Sequence, residues 1–392
     1  MTKENIKYKA LTAIRYFGDG FFYPFFALYL VSRNMTTAQI GFILSISPLL
    51  AIFANPIYTK ICKSIKITKL VLGIISILEG LMILAIGFSA NYYLIAALTI
   101  LMAAFGACHY GLMDSLLAIY ADNSKQNYSG IRLFGSASYI LATAVSGYIC
   151  KEINYQLSFA ICALAFLGSG ILYIILKDIN IEINEEKKKV SYKPLFKNKA
   201  FVFFFIFYGL MSAMIFTNNN FFSTYLETRG IYSDTYGLVF SYFVAVELVV
   251  LLVLSKIKKK ITPYLLLIIA SICLVVRLFI CYIDAPIWLV IASSGLRGVG
   301  FAIMLHVSYQ YVVSLVGEEL STSGIMLCTL LYSVLLFILN NANGQLIDMA
   351  GYNTYFLINV IIAVILTIYS CFLLIMGKKK EDSNLNEVIT DE

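Results

Sequence analysis

Phe25-Phe26-Ala27-Leu28-Tyr29-Leu30-Val31-Ser32-Arg33 recurs 196 positions later as Phe221-Phe222-Ser223-Thr224-Tyr225-Leu226-Glu227-Thr228-Arg229. The register continues without a gap through Gly41 and Ser45, which match Gly237 and Ser241, so that seven of 21 positions are identical. Self-similarity at a fixed long period marks a duplicated architecture. Each copy covers the end of one long apolar stretch and its turn into the next. Both copies start on the same side, so the chain is expected to contain two parallel repeats.

What surrounds these copies sets the solvent. Apolar residues make up 60% of the chain and charged residues 13%, a balance that a water-facing surface of this length does not tolerate. Apolar runs of about 20 residues follow one another, each long enough to cross a ~30 Å hydrocarbon core. Their continuity excludes the alternating pattern of a membrane β-barrel. Hydropathy and breakers place spans near 8–31, 37–59, 68–88, 92–119, 131–151, 155–177, 200–226, 232–255, 263–283, 286–315, 321–347 and 352–376. The expected fold is an all-α membrane protein of twelve transmembrane helices, in two six-helix halves related by a pseudo-two-fold axis. The halves are 1–177 and 200–377, joined by a polar linker over 178–199 and followed by a tail over 378–392.

Charge distribution orients the chain. Of 29 Lys and Arg residues, 22 fall on one side: near the N-terminus, at Lys60 to Lys69, at Lys125, from Lys177 to Lys199, at Lys256 to Lys260 and at Lys378 to Lys380. Arg33, Lys151 and Arg229 fall on the other, and the positive-inside rule makes the first side cytoplasmic, with both termini inside. A missed span would invert this bias midway, and it does not invert. The net charge of +7 is thus a topology signal and implies no nucleic-acid partner. The first apolar stretch is too long for a cleavable signal. The eight cysteines are scattered without a Cys-x-x-Cys pair and are taken as packing residues. Neither a Walker loop nor metal-ligand spacing nor a nucleophile elbow occurs, so no enzyme activity, metal or cofactor is expected.

Charges within spans cost ~2.5–3.5 kcal/mol each at the bilayer centre, which makes each a candidate for function. Arg15 and Asp19 are four apart on one helix face and can pair; otherwise Asp19 is free to face a cavity and take part in coupling. Asp114, late in span 4, and Arg132, opening span 5, can meet through their hairpin, as a solute-binding pair or as a brace. Glu247 in span 8 and Arg277 in span 9 lack local partners and are expected to pair with each other or to carry coupling. Glu79 beside Ser76 and Gly80 has the weakest functional case, and His109 and His306 are taken as packing histidines. Asn218-Asn219-Asn220 and Asn340-Asn341, with Asn343 and Gln345, are either interhelical glue or solute contacts. Tyr23, Phe26, Tyr29, Tyr139 and Tyr332 are the aromatic cavity candidates.

At Tyr23-Pro24-Phe25-Phe26-Ala27-Leu28-Tyr29-Leu30 and at Ser129-Gly130-Ile131-Arg132-Leu133-Phe134-Gly135-Ser136 the sequence resembles the major facilitator superfamily, most of all the branch of lactose permease and the phenylpropionate permeases. In that branch an acid on span 4 pairs with the span-5 arginine at the solute site, which the resemblance places at Asp114 and Arg132. Tyr139 matches an aromatic that stacks on sugar, and Glu247 and Arg277 resemble the branch's acid on span 8 and arginine on span 9. The departures are specific. The loop Thr59-Lys60-Ile61-Cys62-Lys63-Ser64 carries Lys63 where the superfamily has an acid. Arg297 and Gly300 stand where lactose permease has a histidine and a coupling glutamate, Tyr332 where it has a lysine, and Asn218 where it has a span-7 acid. A proton mechanism copied unchanged from lactose permease cannot operate with these residues.

Parallel repeats with ionisable groups near the midplane are a transporter design. The expected function is alternating-access secondary transport of a small organic solute, sugar-like, nucleoside-like or an aromatic acid, imported by a monomer together with protons. Solute contacts are expected at Asp114, Arg132, Tyr139, Asn218, Tyr332 and Tyr29, and coupling or ion pairing at Asp19, Glu247, Arg277 and Arg297. Antiport efflux of drugs or metabolites and a nontransporting membrane sensor are the alternatives.

Overall fold

In the computed structural model, residues 3–177, 192–257 and 262–390 are described. Residues 178–191 of the expected linker and 258–260 of the Lys256 to Lys260 cluster lie outside them. The regular structure assigned among the described residues is helical. In order it comprises α1 (Lys3–Phe22), a 3-10 turn (Tyr23–Phe25), α2 (Phe26–Ser32), α3 (Thr37–Ile61), α4 (Ile65–Phe88), α5 (Tyr92–Gly106) and α6 (His109–Asn123). There follow α7 (Tyr128–Glu152), α8 (Tyr155–Ile175), the short α9 (Lys193–Lys197), α10 (Lys199–Thr228), α11 (Ser233–Lys256), α12 (Pro263–Tyr282) and α13 (Ile287–Thr390).

Nine helical stretches among the described residues are long and apolar enough to cross a membrane. Many large apolar side chains lie open on the surface, among them Phe53, Tyr93, Leu141, Leu164 and Trp288. That surface is stable only against lipid. The expected first span is not one straight helix, because Pro24, without an amide proton, opens the 3-10 turn between α1 and α2. The expected fourth span is likewise two helices, α5 and α6, separated at Ala107 and Cys108. Within α13 the backbone leaves helical geometry at Gly317 (φ 78°) and Gly351 (φ 75°), a left-handed region that glycine enters at little cost. These breaks fall where the sequence separates spans 10, 11 and 12.

Short polar connections cap the helices. Thr36 forms a capping box with Gln39 at the start of α3, and Asn91, Asn127 and Asn154 accept backbone N–H bonds at the starts of α5, α7 and α8. Each cap satisfies orphan donors that lipid could not.

The repeat seen in the sequence is also a repeat of local geometry. Asn34 and Gly230, 196 positions apart, both have positive φ, at 58° and 79°. The Asn34 amide donates to the Val31 carbonyl and Met35 to Leu30, while Gly230 donates to Glu227 and Ile231 to Leu226. The same helix-terminating turn is therefore built twice.

The chain divides into two compact units. The first comprises Met1–Glu186 with Asn220–Ser241, and the second Lys187–Asn219 with Tyr242–Glu392. In the first, α1 packs against α7 and α8, and α4 against α8. One apolar core of this unit gathers Tyr8, Leu11, Leu72, Met113, Leu117 and Tyr173. In the second, α12 packs along α13.

Candidate functional site

The hairpin from α6 to α7 brings Asp114 and Arg132 together. Arg132 Nη1 donates directly to Asp114 Oδ1. Each side chain is 36% exposed. The Arg132 guanidinium lies over the Tyr16 ring, 5.2 Å from its centroid, and Tyr128 faces the pair from the start of α7. A guanidinium fork beside a carboxylate offers donors and acceptors on one small surface, and its exposure leaves both groups open to a third molecule.

Asp19 and Glu79 have a different setting. Arg15 is fully buried, with Nη1 2.7 Å from Glu79 Oε2 and Nε 3.5 Å from Asp19 Oδ1. The expected Arg15–Asp19 pair is thus half of a bridge, because α4 packs Glu79 onto the same guanidinium and makes the shorter contact. Phe166 on α8 covers the guanidinium at 3.6 Å. His109 is no isolated packing residue: Nδ1 is 3.4 Å from Glu79 Oε2 and Nε2 is 3.2 Å from the Tyr173 hydroxyl. His306 is half-buried in α13.

In the second unit, Arg297 Nη1 donates to Glu247 Oε2 at 3.2 Å. The expected Glu247–Arg277 pair is corrected by this contact: α13 carries Arg297 to the acid, while Arg277 lies buried in α12 with Tyr355 in electrostatic range. Phe243 and Phe301 flank Arg297 with centroids at 4.4 and 4.9 Å.

Two expected solute contacts are committed elsewhere. The Tyr29 hydroxyl lies 2.6 Å from both the Ile86 and Ser89 carbonyl oxygens, and Arg33 donates to Gly87 while stacking on the Tyr29 ring. Fully buried, Tyr29 closes the end of α4, whose last carbonyls lack helical partners. Asn218 is buried too: it accepts from the Tyr355 hydroxyl at 2.6 Å and donates to the Met214 carbonyl at 2.8 Å, with Asn359 at 3.4 Å. Asn359 donates to Asn343, and Asn343 to Thr217, so two of the amides that the sequence left open between glue and solute contact, Asn218 and Asn343, are joined in a network through Asn359. Tyr139 packs edge-on against Phe240, and Tyr332 lies tilted against Phe216. Of the other aromatic candidates, Phe26 is buried and Tyr23 is 40% exposed. Glu79 bonds a neighbouring helix, and its partner Arg15, which the sequence did not name for it, lies 64 positions away. An acid in mid-span was the available signal.

Charge pairs held between the helices of a multi-span membrane protein mark solute and ion pathways, as in transporters. Residues 6–358 match the model of the MFS_1 like family, and the chain belongs to that family. It is 24% identical over 307 residues to the uncharacterized transporter YwbF of Bacillus subtilis (strain 168), covering 78% of this chain and 76% of that one. It is 23% identical to the maltose permease of Geobacillus stearothermophilus, covering 80% and 79%, and 22% identical to the sucrose permease of Escherichia coli, covering 69% and 67%. The crystal structure of the nucleoside transporter NupG has the same fold, with a TM-score of 0.82 at 16% identity over 95% of this chain and 99% of that one.

Proposed function

We propose that this chain imports a small hydroxylated solute together with protons, holding the solute at Asp114 and Arg132 while two six-helix halves alternate access from one side of the cell membrane to the other. The observation that carries this function is the exposed Asp114–Arg132 pair. A charged pair within membrane helices is costly, and one left open to a third molecule has a use beyond bracing. Tyr139 and Tyr332 provide aromatic surfaces, and Glu247 with Arg297 in the second unit or Asp19 in the first carries coupling. Two sugar permeases among the relatives and a nucleoside transporter of the same fold support a hydroxylated solute.

Twelve spans accord with the breaks at Gly317 and Gly351, which divide the ninth apolar stretch into three. Counting α1 with α2 as one further span completes the number. Both termini then lie in the cytoplasm, and the monomer is the working unit.

Proteoliposomes with an outside-acid gradient, offered labelled maltose, sucrose and uridine, test the proposal. Accumulation of one of them above equilibrium is expected, and Asp114→Asn or Arg132→Lys removes it without lowering thermal stability. Failure of all three solutes to accumulate, or pH-driven extrusion instead, refutes import of this class. Retained uptake in the Asp114→Ala/Arg132→Ala double variant reduces the pair to a brace.

A further inference from the structure

The buried cluster around Arg15 is not needed to hold a solute, and its composition is unbalanced. Arg15, Asp19 and Glu79 have side-chain exposures of 0%, 3% and 3%. The groups facing them are few and can be named helix by helix. Arg15, Tyr16 and Asp19 come from α1, with Tyr23 following. Glu79 and the buried Ser76 come from α4. Cys108, His109 and Tyr110 stand at the start of α6, Cys162 and Tyr173 lie on α8, and Tyr58 on α3 is in electrostatic range of Glu79. Arg15 is the one permanent cation of this set and faces two carboxyls. With both ionised and His109 neutral, the cluster carries one uncompensated negative charge in a site that lipid-facing helices close off. One added proton brings it to neutrality.

The geometry gives that proton definite places. Tyr110 faces Asp19, yet neither Asp19 oxygen accepts a hydrogen bond of normal geometry among the described residues. His109 stands between Glu79 and the Tyr173 hydroxyl. With Glu79 ionised, Nδ1–H stands 3.4 Å from the carboxylate as its nearest acid, short of a formed hydrogen bond, while Nε2 accepts from the Tyr173 hydroxyl. With Glu79 protonated, the carboxylic acid donates to Nδ1 and Nε2–H donates to the Tyr173 oxygen. A change of His109 tautomer thus lets the ring face either an ionised or a protonated Glu79, while Arg15 Nε and Nη2 and both Asp19 oxygens make no hydrogen bond among the described residues. Gly106 sits against Glu79 so closely that a Cβ would overlap the carboxylate, which leaves the acid room on that side only because the residue is glycine.

We propose that Arg15, Asp19, Glu79 and His109 form the proton-binding site that couples transport to the proton gradient, one proton being taken up on Asp19 or Glu79 and released when the site opens to the other face. This rests on the proton-driven import proposed above. Of the two coupling candidates named there, it chooses the cluster in the first unit over Glu247 with Arg297 in the second. The step is a simple balance: a carboxylate and a proton give a carboxylic acid, with Arg15 charged throughout.

Infrared difference spectra of the full-length protein in lipid, recorded between alkaline and acidic buffers with no solute present, read carboxyl protonation directly. A protonated-carboxyl band that titrates in the wild type is expected to vanish in Asp19→Asn or Glu79→Gln and to persist in Glu247→Gln. A band surviving in both first-unit variants, or lost in Glu247→Gln, overturns the assignment, as does a wild type without any such band. If the variants fail to fold, 13C labelling of aspartate or glutamate carboxyls in the wild type, with Glu79→Asp to move the band, gives the same decision. Uptake separates the two proposals. Gradient-driven accumulation that persists in the Asp19→Asn/Glu79→Gln double variant overturns this site alone, while a titrating band in a protein that accumulates no solute overturns the import function alone.

Discussion

Replacing Arg15 with methionine removes the cation and keeps much of the side-chain volume. Glu79 loses a 2.7 Å ion pair and Asp19 its 3.5 Å partner, and both carboxyls stay in a site with at most 3% exposure. Breaking a buried pair by removing one partner costs about 3–5 kcal/mol, because the remaining charge has no water to return to. The guanidinium also stacks on Phe166 at 3.6 Å, a contact worth up to ~2 kcal/mol when desolvated. Arg15→Met is therefore expected to lose about 3–5 kcal/mol from the charges alone. Arg15→Met/Asp19→Asn/Glu79→Gln, which carries no charge in the cluster, should recover most of that loss. SDS titration in mixed micelles, followed by the loss of helical circular dichroism, gives the free energies for both variants and the wild type. An Arg15→Met protein within ~0.5 kcal/mol of the wild type refutes the bridging role. So does a triple variant no more stable than the single one, since the loss would then come from packing and not from stranded charge.

Three smaller perturbations address other contacts. Tyr29→Phe removes the hydroxyl that lies between the Ile86 and Ser89 carbonyls and should lower stability by about 0.5–1.5 kcal/mol while leaving the half-saturation for solute uptake unchanged, as measured by unfolding and by uptake. Asn218→Ala removes the acceptor of the Tyr355 hydroxyl and should cost about 1–3 kcal/mol in the same titration, with no change in the solutes taken up. Gly147 on α7 and Gly237 on α11 approach so closely that a Cβ on Gly237 would overlap the Thr143 carbonyl, beside the Lys151–Asp234 ion pair. Gly237→Leu should part the two helices there and raise the labelling rate of Ser241→Cys by a membrane-impermeant thiol reagent; an unchanged rate would show that the helices absorb the side chain in place.

The elements of the fold were legible wherever a single helix carries its own signal. The apolar runs, the capping Thr36 and Asn residues and the repeated turn at Asn34 and Gly230 are local features, and local features can be read from neighbouring residues. Asp114 with Arg132 was also legible, because a tight hairpin leaves two helices only one way to lie. The pairings that went unseen cross between helices distant in sequence. Glu247 found Arg297 and not Arg277, since which face of α12 turns towards α11 depends on packing that no hydropathy profile records. Glu79 gave no hint of its partner for the same reason: α1 and α4 both pack on α8, and that brings Arg15 to the acid. Tyr29 was misjudged differently. An aromatic residue repeated at Tyr225 invites a functional explanation, yet the repeat conserves a turn, and the ring and hydroxyl finish a helix end.

Exposure separates the charged groups of the first unit into two kinds that α1 joins. Asp114 and Arg132 are open enough to meet a solute, whereas Arg15, Asp19 and Glu79 are sealed. Tyr16 lies under the Arg132 guanidinium, and its neighbour in sequence, Arg15, anchors the sealed cluster. Under the proposed solute site, a shift of α1 that follows binding at Arg132 would also move Arg15 against Glu79. Spatial intermediacy alone does not establish coupling, and a double-mutant cycle does. Tyr16→Leu removes the aromatic face while keeping an apolar side chain, and Glu79→Gln removes the carboxylate. If α1 transmits the effect, the losses in gradient-driven accumulation caused by the two changes will fall well short of multiplying, because either one already breaks the link. Uptake down a solute gradient, which needs no proton gradient, should survive Tyr16→Leu within a few-fold. Losses that multiply fully would mean that the solute pair and the sealed cluster act independently, and that α1 joins them in space only.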